Sequence, residues 1–271
     1  MREYGVCTWI LGGEPLAQTA ERLARLGYNG VELAGDLSAF RPDDVARIMR
    51  EHGLRVISLT PDNVDILHPD PTVRAQGLDY YMRLLEFAQA LGAIMCCHGA
   101  VGRIRPVSTY EEERALYVDG VRQIGRRAET LGVNVAMEVL NRYEAHLLLT
   151  SAETARFVDE VGSPRVGILL DAYHMNIEES DLPGAILTAG PRLKLFHVAD
   201  SNRKGAGRGH TDFNACVRTL KHIGYGGPII MECVAPGPDP FTPIKGENPI
   251  GWIETYLDES LRLMKLYETM A

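Results

Sequence analysis

The chain has no run of about 18 apolar residues, so no transmembrane helix is expected. It also lacks a basic surplus: 28 Lys and Arg stand against 36 Asp and Glu, a formal charge of −8. That balance argues against a nucleic-acid backbone or an anionic membrane as the main partner. Cysteine is scarce and odd in number. The five, Cys7, Cys96, Cys97, Cys216 and Cys233, contain no Cys-x-x-Cys spacing and fall mostly in strand-like runs. They read as reduced, buried thiols of a cytoplasmic protein. The opening Met1-Arg-Glu-Tyr-Gly carries charge into the first such run and has no signal-peptide core. No Gly-x-Gly-x-x-Gly follows that run, which disfavours a dinucleotide-binding sheet. No linker or compositional break divides residues 1–271, so one catalytic domain is expected.

What is present is an alternation repeated eight times. Strand-like runs lie near 3–9, 30–34, 54–59, 93–98, 133–139, 166–171, 193–198 and 228–233. Helical patterns separate most of them, clearest over 15–26, 78–91, 111–131, from Ser151 to near Gly162, and from Phe213 to Ile223 behind Asp212 as N-cap. Leu26-Gly-Tyr, Leu91-Gly-Ala and Leu131-Gly-Val each read as a helix, a glycine cap and a buried strand. Strands alternating with helices imply right-handed crossovers and a parallel sheet. Eight units point to a single closed (β/α)₈ TIM barrel. The Pro- and Gly-rich stretch 234–249 is too long for a minimal connection and reads as a lid over the site or a packing loop.

Four apolar runs in the second half end on residues that bind metals: Val135-Ala-Met-Glu138, Val166-Gly-Ile-Leu-Leu-Asp171, Leu193-Lys-Leu-Phe-His197 and Pro228-Ile-Ile-Met-Glu232. In a barrel, carboxyl ends of strands face the active-site mouth. One carboxylate at a strand end is ordinary. Three carboxylates and an imidazole on successive strands suggest a divalent metal site, better suited to Mn²⁺, Mg²⁺ or Co²⁺ than a thiolate set, with Zn²⁺ left open. Glu144, His174 and Arg203 follow the first three of these residues in loops that open the site, and offer hydrogen bonds to a polyhydroxylated ligand.

These strings carry a resemblance. Glu138-Val-Leu-Asn-Arg-Tyr-Glu144, Asp171-Ala-Tyr-His-Met-Asn-Ile-Glu-Glu179, His197-Val-Ala-Asp-Ser-Asn-Arg203 with the following Gly-Arg-Gly-His-Thr-Asp-Phe, and Glu232 resemble the ketose 3-epimerases of the D-tagatose and D-psicose (allulose) type. That group lies within the xylose-isomerase-like barrels. The motif match spans roughly 130–233; the first half is generic barrel. The resemblance implies that Glu138, Asp171, His197 and Glu232 hold the metal, read as Mn²⁺. It implies that Glu138 and Glu232 double as the acid–base pair, and that Glu144, His174 and Arg203 contact the sugar. It further implies a homodimer or homotetramer. The first part of the chain departs from the better-known members: Cys7, Trp9, Thr60 and His98 do not align with the residues that shape the sugar pocket there, which leaves the sugar open.

Other candidates divide between site and frame. Glu32 ends the second strand, where a barrel-interior salt bridge is favoured over a site contact. His98 ends the fourth and is balanced between the two. His52, His68, His146 and His222 read as surface residues. Gly205-Ala-Gly-Arg-Gly-His210, flanked by Lys204 and containing Arg208, follows the seventh strand, where barrels often bind phosphate. A free ketose is nevertheless favoured over a sugar phosphate. Alternatives are an aldose–ketose isomerase, a ketopentose-phosphate 3-epimerase or an inosose-processing lyase with the same chemistry. A metal-dependent phosphodiesterase would need more metal-binding His and a basic surface. A non-catalytic sugar-binding barrel would not need four convergent ligands.

Overall fold

The computed structural model describes residues 2–271. Eight parallel strands close into a barrel in sequence order: β1 (Tyr4–Cys7), β2 (Gly30–Ala34), β3 (Arg55–Thr60), β4 (Ile94–Cys97), β5 (Val135–Val139), β6 (Val166–Asp171), β7 (Leu193–Val198) and β8 (Ile229–Met231). The ring shuts where Tyr4 of β1 pairs with Ile229 of β8. Nearly every strand residue is buried, because helices cover one face and the barrel interior the other. Two interruptions occur. The β2–β3 register slips by one residue between Val31 and Glu32, and the β6–β7 register slips between Ile168 and Leu169. Such irregularities re-aim side chains at barrel rims.

The helices are α1 (Leu16–Leu26), α2 (Pro42–Glu51), α3 (Pro71–Leu91), α4 (Tyr110–Leu131), α5 (Ser151–Val161), α6 (Ala172–Glu178), α7 (Leu182–Ala189), α8 (Phe213–His222) and α9 (Pro249–Met270). Among the described residues, no helix is long and apolar enough to cross a membrane. The glycine stops expected from sequence end α3 and α4 in the left-handed region, at Gly92 (φ 64°) and Gly132 (φ 72°). The next amide then reaches back five residues, Ala93 to the Ala88 carbonyl at 2.9 Å and Val133 to the Ala128 carbonyl at 3.0 Å. Asp212 caps α8 through the Ala215 amide at 2.9 Å.

Three expectations need correction. The first strand stops at Cys7, and Thr8–Leu11 form a 3₁₀ turn that brings Trp9 over the barrel mouth. The helix expected from 78 begins at Pro71, with Asp70 as cap accepting from the Thr72 amide at 2.7 Å. His146 is buried rather than on the surface, between the Glu113 carboxylate and the Arg103 carbonyl, both at 2.8 Å. Arg103 also pairs with Asp65 (2.9 Å) and Glu113 (2.5 Å), which ties together the loops after β3, β4 and β5.

Candidate metal centre and active site

Glu138, Asp171, His197 and Glu232 converge. Each offers a ligand atom, all within 4.8 Å of one another, and all four side chains are buried. Glu138 and His197 are the penultimate residues of β5 and β7, Asp171 ends β6, and Glu232 follows β8 by one residue. Parallel strands rise together, so residues at their carboxyl ends share one layer at the mouth. Three acid groups so close in a buried layer repel one another unless a cation lies among them. The donor set therefore fits a hard divalent ion, as an oxygen-rich cluster with one imidazole should.

Glu32 lies beneath this layer and is fully buried. Its carboxylate accepts from Ser58 Oγ (2.6 Å), Thr60 Oγ1 (2.7 Å), the thiols of Cys7 (3.3 Å) and Cys96 (3.4 Å), and His197 Nε2 (3.0 Å). Burial opposes its charge, but His197 and the hydroxyls outweigh burial and hold it at about 2. The expectation of an interior ion pair for Glu32 is met, and its partner is a candidate ligand. With Nε2 committed to Glu32, the His197 nitrogen left for a cation is Nδ1, which lies 3.2 Å from Glu232 Oε2. Glu32 thus sets the orientation of that ring.

The two flanking glutamates are held differently. Glu138 Oε2 pairs with His98 Nε2 at 2.8 Å, and despite burial His98 holds its carboxyl below the usual range. Glu232 receives Trp9 Nε1 at 2.8 Å on one oxygen, with His197 and Arg203 Nη2 (both 3.2 Å) on the other. Arg203 and His197 more than reverse the effect of burial and keep Glu232 well below the usual range. Asp171 moves upward, because burial dominates there, although Arg203 Nη1 lies at 2.9 Å.

Glu144, His174 and Arg203 line the same cavity as Glu138 and Glu232, about 290 Å³ in volume. That is close to the lower end of small-molecule sites, roughly 300 Å³. Arg203 is buried with a left-handed backbone (φ 62°), and its guanidinium lies over Tyr173 at 4.5 Å and Trp9 at 5.9 Å. A non-glycine residue in that region stores strain, and here it aims a cation into the site. Burial, partly offset by Arg203 and Asn141, raises the Glu144 carboxyl to about 7. The stretch 234–249 supplies Phe241 to the cavity wall, so it shapes the site.

The sequence assigns no role to Trp9 or Thr60 and balances His98 between site and frame, and all three line this cavity. Their signal was their place at or just past the ends of β1, β3 and β4. Asn141, whose sequence position alone assigns it no role, is buried between Glu144 and His174.

The glycine-rich loop is filled from within. Asp200 is fully buried and accepts the amides of Ser201 (2.7 Å), Gly207 (2.8 Å) and Thr211 (3.1 Å). Arg208 points instead to Glu259 on α9, at 2.8 Å from Nε.

A closed parallel barrel with a four-residue cation cradle beside a small polar cavity defines a class: metal-site barrels that act on small molecules. A family model described as "Xylose isomerase-like TIM barrel" matches residues 20–265. The chain belongs to that family. It is 33% identical to an L-ribulose 3-epimerase of Methylomonas sp. (strain DH-1), over 85% of this chain and 84% of the relative. It is 34% identical to a D-psicose 3-epimerase of Agrobacterium fabrum, over 78% and 77%. A solved structure of D-psicose 3-epimerase with D-tagatose from Clostridium cellulolyticum H10 superposes with a TM-score of 0.88 at 26% identity, over 99% of each chain. The resemblance to ketose 3-epimerases drawn from the motifs therefore holds across most of the chain.

Proposed function

We propose that this protein is an isomerase that inverts C3 of a ketose through an enediolate, with Glu138 and Glu232 alternating as base and acid. The observation that carries this reading is their placement. They project from β5 and from the end of β8, three places apart in an eight-strand ring, and both line one cavity. Inverting a carbon beside a carbonyl means removing a weakly acidic C–H proton and returning one to the opposite face. A ketose lying between the two carboxylates presents one face to each. Their neighbours favour the ionised form of Glu138 and Glu232 that accepts the proton, so whichever of the two acts as acid must enter the cycle already carrying the proton it returns.

Glu138, Asp171, His197 and Glu232 would hold the divalent cation, Mn²⁺ in this reading, with Mg²⁺, Co²⁺ or Zn²⁺ as the alternatives the donor set allows. When bound, that ion supplies Lewis-acid polarisation of the ketose carbonyl and neighbouring hydroxyl oxygens. His174 and Arg203 donate hydrogen bonds to the oxygen that gains negative charge, and Glu144 orients a hydroxyl.

The substrate in this reading is an unphosphorylated ketose. A barrel phosphate site after the seventh strand depends on free backbone amides. In this loop the buried Asp200 carboxylate already takes three of them. Residues 1–271 act as one catalytic domain in this reading. The five free, buried cysteines support a cytoplasmic setting. A homodimer or homotetramer is supported by exposed Ile104, Val107 and Tyr110 on the approach to α4. A monomeric mass by light scattering would overturn it.

The test is an assay of metal-loaded protein in deuterated water against free ketoses and their phosphate esters. Deuterium at C3 together with the C3 epimer is expected, with free ketoses favoured in kcat/KM. Aldose products would make the protein an isomerase of the aldose–ketose kind, and preference for esters would refute the substrate reading. Glu138→Gln and Glu232→Gln should each lower kcat by roughly 10²–10⁴-fold. Metal content measured on the same samples separates a lost base from a lost ligand.

A further inference from the structure

We propose that Asn141 is a positioning residue that fixes the tautomer of His174, so that its Nε2 carries the proton and faces the reacting sugar. The side-chain amide of Asn141 is buried, and its orientation is set by its own loop. Oδ1 accepts from the Tyr143 amide at 2.8 Å, so Nδ2 must face the other way. There Nδ2 meets Glu144 Oε1 at 2.6 Å and His174 Nδ1 at 2.7 Å. An amide nitrogen has two protons and no lone pair to offer, and both are used. His174 Nδ1 is therefore the acceptor of that bond. In a neutral imidazole the single proton then sits on Nε2.

Nε2 is left without a direct partner. It lies 3.5 Å from Asp171 Oδ2 and 3.7 Å from Glu138 Oε1, too far for a good hydrogen bond to either. A donor held at that spacing between two carboxylates is free for an oxygen placed among them. One amide thus serves two side chains, since Asn141 also holds Glu144 on the other side of the same junction. The sequence places Asn141 in the loop three residues past Glu138, and α6, which directly follows β6, delivers His174 from 33 residues away. The role given to the Nε2 proton rests on the proposed epimerase reading. The tautomer itself does not.

The experiment uses the Mg²⁺-loaded protein with ¹⁵N-labelled histidine, and His174→Gln to assign the His174 resonances. Wild type should show a protonated Nε2 and an unprotonated Nδ1. Asn141→Asp replaces the donor with an acceptor of the same shape. It should move the proton to Nδ1 or make the ring cationic, and lower kcat and kcat/KM together by on the order of 10²-fold, with metal content unchanged. Asn141→Ser, which restores a donor, should recover part of kcat. A wild-type ring protonated on Nδ1 refutes the proposal even if the Asp variant does not fold. An Asp variant that loses kcat while keeping the wild-type tautomer refutes it too. An Nε2-protonated ring in a protein inactive on every ketose would leave the positioning intact and defeat the epimerase reading instead.

Discussion

Glu32 illustrates how much of this site depends on side chains that would never touch substrate. Five donors surround its carboxylate, and one is the ring of His197. Carboxylates behind a ligating imidazole typically tune metal affinity by 10–100-fold. Glu32→Gln should therefore weaken Mg²⁺ or Mn²⁺ binding by about 10–100-fold in calorimetric titration. Unchanged affinity would make the residue purely architectural. Glu144 offers a second test at this scale. Its carboxyl is raised from an ordinary 4.5 to about 7, so the folded chain binds more proton than the unfolded chain between those values. Its contribution to stability is present below that window and is lost as pH rises through it. The melting temperature of wild type minus that of Glu144→Gln should fall as pH goes from about 4.5 to 7. A flat difference would contradict the raised value.

At the scale of elements, the sequence was legible where one physical cause dominated. Strands buried on both faces leave uninterrupted apolar runs, so the polar residue at each end stood out, as at Asp171 and His197. Glycine after a helix was equally plain, because few other residues take the left-handed cap. At Gly92 an added Cβ would meet nothing within 4 Å. Gly92→Ala should thus cost only the backbone term, about 1 kcal/mol in urea unfolding. A loss of several would mean an unseen packing role. Helices α2, α6 and α7 carried little signal. The first is half charged and buries only Val45 and Met49, and the others span 7 and 8 residues. Partners distant in sequence were invisible as well. His146 read as a surface residue because Glu113 lies 33 positions away, and Glu32 could not be matched to His197 across 165.

For the whole molecule, a cation held as proposed by Glu138, Asp171, His197 and Glu232 would be a structural tie as well as a reagent. The four candidate ligands, from β5, β6, β7 and the end of β8, span half the barrel mouth. Binding that favours the folded state stabilises it by about 2.7 kcal/mol at a hundredfold excess over Kd. Removing the ion with EDTA should lower the melting temperature by roughly 5–10 °C for a chain of this size. Calorimetry showing no shift would separate the four residues from any cation.

The cysteines carry one more consequence. All five are free and buried, and burial raises each thiol, Cys97, Cys216 and Cys233 to about 12 and Cys7 and Cys96 well above the ordinary value. A disulfide reagent in solution can then modify them only when the barrel opens. The rate of labelling becomes a clock for that opening. Cys7 and Cys96 lie against Glu32 directly under the cation cradle, whereas Cys216 sits on α8 at the outer wall. Labelling resolved by position would time the unlocking of the mouth separately from the fraying of the shell.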